Sequence, residues 1–98
     1  MIRVDGIRLT DTVFTGPTGF VLVVGQRAAL LTFLIQNAGE WHTARDMASK
    51  TGVPVTHISA LISSLREALV LIGAADVQIA NERGRGYILR ARPIQDAT

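Results

Sequence analysis

Few side chains in this sequence could carry covalent chemistry. The 98 residues include two histidines and no cysteine. His42 and His57 have no partner at the spacing of a metal site or a catalytic triad. Asp46, Glu67 and Asp76 form no recognisable acid/base pair. Gly84-x-Gly86 lacks a third glycine and opens no helix, so it does not read as a phosphate-binding loop. No enzyme is expected, and no metal, cofactor or small-molecule ligand. What remains is recognition chemistry. Thr56, Ser59, Ala60, Ser63 and Ser64 recur at helical spacing and present hydroxyls that both donate and accept, together with one methyl-sized surface. Arg83 and Arg85 alternate with glycines in RGRG, where a guanidinium group can come close to an anion.

The element that must position the first group spans 44–66, ARDMASKTGVPVTHISALISSLR. Ala48, Gly52 and Ile58 fall at the small, glycine and apolar positions of a helix-turn-helix, where a small residue lets two helices approach and glycine permits the turn. Pro54 suits the first position of the second helix, because its missing N–H would be unpaired there anyway. Along that helix Ile58, Leu61, Ile62, Leu65 and Leu69 make one apolar stripe, which is the core face. Thr56, Ser59, Ala60, Ser63 and Ser64 lie opposite, a small and mostly polar face. In a helix-turn-helix such a face is the part that enters a DNA major groove.

The rest of the chain reads as support for this unit. Gly6, Asp11, Gly16, Pro17 and Gly19 divide residues 2–24 into IRVD, IRLT, TVFT and FVLVV, short strands of an antiparallel sheet. From Gln26 to Asn37, Leu30, Leu31, Leu34 and Ile35 share one face, giving a first helix with Gly39 as its expected C-cap. Thr43 and Asp46 have the T-x-x-D spacing of a capping box, so a short helix begins there and runs to about Lys50. The long helix should stop near Gly73. Asp76–Ile79 and Tyr87–Leu89 alternate as two strands of a hairpin turning at Gly84 or Gly86. The tail RPIQDAT is polar and expected to fray. The layout is α+β, a single domain of N-terminal strands over 1–24, three helices over 25–73 and a hairpin over 76–91.

Helix, short link, helix, long helix, hairpin is the order of a winged helix. Within that class, LREAL at 65–69 followed by IANERGRGYIL at 79–89 resembles the OmpR/PhoB-type DNA-binding domain, whose long helix ends in a similar L-R-x-x-L and whose wing carries R-G-x-G-Y. The match covers roughly residues 23–90. The resemblance implies a transcription regulator that binds double-stranded DNA, with the long helix in the major groove and the wing on a minor groove or the backbone. Carried onto this sequence, it assigns Thr56, His57, Ser59, Ala60, Ser63, Ser64 and Arg66 to the helix side of the site and Arg83 and Arg85 to the wing. Ser63 and Ser64 stand where the family commonly has basic residues. The loop before the long helix, Gly52-Val53, is much shorter than the family's polymerase-contacting loop, so that contact is not carried over. No receiver domain precedes the domain in this sequence, and a small stand-alone regulator, of the sort mobile elements carry, is the expectation.

Bulk properties bound these readings. Net charge is +2 and 48% of residues are hydrophobic. A pI of 9.9 permits a polyanion partner without demanding one. Apolar runs such as Phe20 to Val24 are far short of the roughly 20 residues that span a bilayer. No membrane association is expected, and the absence of cysteine suits the cytoplasm. A second reading stays open: a winged-helix protein-interaction module whose neutral helix face, Ala60, Ser63 and Ser64, packs on a protein partner or on a second copy.

Overall fold

The computed structural model of the chain describes residues 2–4 and 6–92. The polar tail from residue 93 onward lies outside them. Four short strands open the fold: β1 (Ile2–Val4), β2 (Ile7–Thr10), β3 (Val13–Thr15) and β4 (Phe20–Leu22), paired in that order as an antiparallel meander. Then come α1 (Gly25–Gln36), α2 (Ala44–Thr51), a 3₁₀ turn (Val55–His57), α3 (Ile58–Leu71), and the hairpin β5 (Val77–Glu82) and β6 (Gly86–Ala91). Among the described residues, no helix is long and apolar enough to cross a membrane.

Each segment folds for a local reason. In β2, Ile7 and Leu9 are buried while Arg8 and Thr10 are exposed, the period of two that lays one sheet face on the core. Leu30, Leu31, Leu34 and Ile35 are the buried face of α1. Thr43 caps α2, its Oγ1 accepting from the Asp46 N–H at 3.1 Å, and Gly52 ends the helix in the left-handed conformation at φ 78°. Along α3, Ile58, Ile62, Leu65, Ala68 and Leu69 are buried and Leu61 is partly so. These stripes, with Phe14, Met47, Ile72, Ile79 and Leu89, form one apolar cluster between sheet, helices and hairpin.

Two boundaries differ from the sequence expectation, and a third is settled between its two alternatives. Pro54 does not start the helix: its ψ of 136° keeps it extended, and its carbonyl accepts the His57 N–H at 2.9 Å. That i→i+3 bond makes a tight 3₁₀ turn, so the α-helix begins at Ile58. Gly39 does not cap α1 either. The Asn37 side chain does so, Nδ2 donating to the Phe33 carbonyl at 2.8 Å, while the Gly39 N–H reaches across to the Leu89 carbonyl at 2.8 Å. The hairpin turns at Gly84, in the loop 83–85, because Gly86 is already paired with Glu82.

Not every apolar residue is covered. Phe20 and Leu22 on β4, with Val24 just beyond, are 67%, 62% and 59% exposed, and Val70 and Leu71 at the end of α3 are also bare. The two groups are neighbours, since the Thr18 N–H donates to the Ile72 carbonyl at 3.1 Å.

Candidate nucleic-acid interface

The turn Val55–His57 and helix α3 carry the residues assigned to the helix side. Thr56, His57, Ser59, Ala60 and Ser63 are exposed, opposite the buried stripe. Thr56 and His57 sit in the 3₁₀ turn ahead of the α-helix. His57 is not unengaged: its Nδ1–H donates to Gln26 Oε1 at 3.0 Å, joining the start of α3 to the start of α1. Ser64, half-buried at the margin of the face, accepts from Arg27 Nη1 at 3.1 Å. That bond brings a guanidinium group from α1 to the edge of a helix whose residues 54–65 contain no lysine or arginine.

Arg66, grouped from sequence with the outward face, turns toward the hairpin instead. Its Nε donates to the Ile79 carbonyl at 2.9 Å and its Nη2 to Asn81 Oδ1 at 3.1 Å. The side chain is half-buried and acts as a strut between α3 and β5. With both groups committed there, it fixes the angle of the hairpin relative to the helix rather than extending the outer face.

The opposite strand of the hairpin is fastened to the link between α1 and α2. His42 and Tyr87 exchange backbone bonds, the His42 N–H donating to the Tyr87 carbonyl at 3.0 Å and the Tyr87 N–H to the His42 carbonyl at 2.8 Å. Gly86 makes this possible: at φ 96°, a Cβ added there would lie 2.6 Å from the His42 carbonyl carbon and from Thr43 Cα. The His42 ring is held too, Nδ1–H donating to Asp46 Oδ2 at 2.6 Å and the ring meeting Phe33 edge-on at a centroid distance of 4.9 Å. The Asp46 carboxylate therefore goes to His42 as well as lying at the positive end of α2.

Arg83 and Arg85 stand exposed in the loop 83–85. Arg85 Nε lies 3.8 Å from Glu82 Oε1, a weak pair between two exposed side chains. Trp41 is half-buried, and both Arg85 and Arg90 lie over its ring. Arg27, Trp41 and Arg90 were absent from the site expected from sequence. Their roles depend on contacts between segments far apart in the chain, and no local spacing signals them.

A helix-turn-helix, a four-stranded meander ahead of it and a hairpin strapped to its last helix define a winged helix-turn-helix fold. No family model and no curated protein matches the sequence. Among solved structures, the chain is similar to the C-terminal domain of the nisin resistance regulator NsrR, a lantibiotic response regulator. The TM-score is 0.80 over 95% of this chain and 100% of that one, at 18% sequence identity. At that identity the likeness is one of fold.

Proposed function

We propose that this chain is a sequence-specific transcription regulator that binds double-stranded DNA, with the outer face of α3 in the major groove and the wing loop on the backbone or an adjacent minor groove. The observation that carries the reading is the pairing of two features on one helix. The exposed face Thr56, Ser59, Ala60 and Ser63 lies opposite the buried stripe, and Arg66 on the same helix holds a hairpin whose tip bears Arg83 and Arg85. The likeness to the response-regulator domain supports the same reading at the level of fold.

The division of labour follows from the chemistry. Hydroxyls of Thr56, Ser59 and Ser63 accept from or donate to base edges, and the Ala60 methyl suits the thymine methyl. Such contacts discriminate by about 1–3 kcal/mol per base pair. The helix face carries no fixed charge, so phosphate attraction falls to the wing arginines and to Arg27 at the edge. Such a regulator works in the cytoplasm as a soluble protein.

One observation favours the second reading, a protein partner. The bare apolar group of Phe20, Leu22, Val24, Val70 and Leu71 is a surface of the kind that proteins cover with other proteins. It involves the sheet and the end of α3, and leaves the outer face of α3 available. Selection of duplexes from a random-sequence pool by the purified chain decides between the two. Enrichment of one short motif establishes DNA readout, and flat output at low salt favours the protein partner.

A further inference from the structure

Trp41 sits in the link between α1 and α2, one residue before the His42–Tyr87 bridge, and that bridge sets its half-buried indole beside β6. The Cζ atoms of Arg85 and Arg90 lie 5.7 and 5.6 Å from the ring centroid. Yet Arg85 precedes β6 and Arg90 is near its end, a separation of about 16 Å along an extended strand. Two guanidinium groups that the backbone holds well apart therefore converge on one ring.

Each guanidinium group is attracted to the electron-rich indole, which therefore holds both near β6 although like charges repel. Glu82 helps only weakly, at 3.8 Å from Arg85 Nε. Arg90 Nε is buried with no hydrogen-bond partner among the described residues. Two cations over one ring, countered only by that weak pair with Glu82, can share an anion through their terminal N–H groups.

We infer that Trp41 is a positioning residue that gathers Arg85 and Arg90 into one seat for a phosphodiester of the DNA backbone. The inference rests on the DNA-binding reading and adds which wing cations act together and what holds them. Arg83, which makes no ion pair among the described residues, acts separately.

The test is binding of a labelled duplex by fluorescence polarisation at several salt concentrations, with thermal melting of each variant. Trp41→Leu keeps an apolar side chain and removes the ring; affinity should fall about fivefold and the salt slope by about one. Trp41→Phe, which keeps an aromatic face, should recover most of both. Arg85→Ala and Arg90→Ala should be coupled, the double variant losing clearly less than the two single losses combined. That cycle decides the matter even if Trp41→Leu fails to fold. A folded Trp41→Leu protein with an unchanged salt slope overturns the inference, as do strictly additive arginine losses. Both results leave the DNA reading standing if the parent chain binds, whereas a parent that binds no duplex at low salt overturns the two together.

Discussion

Replacing Gly86 by Ala should detach the wing, and Gly84→Ala supplies the control. Both glycines have left-handed φ, 96° and 86°, so each substitution carries a conformational cost of about 1–2 kcal/mol. They differ in what the new methyl meets. At Gly84 there is nothing within 4 Å, whereas at Gly86 it runs into the backbone of His42 and Thr43. Backbone cannot swing aside as a flexible side chain would, so the bridge opens. The two bonds between His42 and Tyr87, at 3.0 and 2.8 Å, are then lost, each worth about 0.5–1.5 kcal/mol. Gly86→Ala should therefore cost about 2–5 kcal/mol in total. That is a large part of the 5–15 kcal/mol typical of whole domains. Urea unfolding at an unchanged m-value measures the difference directly. In thermal melting each kcal/mol appears as a shift of about 4–8 °C for a domain of this size. If the two variants unfold at the same urea concentration, the close approach at Gly86 does not hold the wing.

Three further outcomes follow from the same structure. Leu65→Ala empties a site 1% exposed at the centre of α3 and should cost about 2–5 kcal/mol in chemical denaturation; a melting temperature near the parent's would refute its core role. Ala60→Glu places a carboxylate on the exposed side of α3 and should abolish specific DNA binding in a mobility-shift assay while leaving the melting temperature within a few degrees of the parent's; normal binding would disprove that docking face. Replacing both Arg83 and Arg85 with Ala should weaken specific and non-specific binding alike and flatten the dependence of log Kd on log salt by roughly two units; an unchanged slope would place the wing away from the duplex.

What could be read from sequence was whatever depends on near neighbours. The α3 stripe, the Thr43 cap and the Gly52 turn are set by residues three or four apart, and their structural positions match that spacing. Ala68 was missed as a buried residue because its small side chain adds little to an apolar stripe. The start of α3 was misplaced because the preference of proline for a first helical position says nothing about the ψ of the bond that follows. On the site, the outward exposure of Thr56, Ser59, Ala60 and Ser63 was legible from helical phase. The commitments of Arg66 to β5, Arg27 to Ser64 and Arg85 and Arg90 to Trp41 were not, since each partner is chosen by the fold. A long cation has no phase of its own, and the direction it takes depends on which acceptor or ring tertiary packing brings within reach.

The strapping of the hairpin has a mechanical consequence. One strand is pinned to α3 through Arg66, and the other to the helix link at Leu89 and Tyr87. Only residues 82–86 project beyond these fastenings, so the wing is a cantilever with a clamped stem and a short end. Ordering on contact with a partner is then confined to that end, and the entropic cost falls on a few side chains rather than on a whole arm. Amide hydrogen exchange would register the division. The Gly39, His42 and Tyr87 amides should exchange with the slow core, and those of Arg83 and Gly84 with solvent-exposed loops.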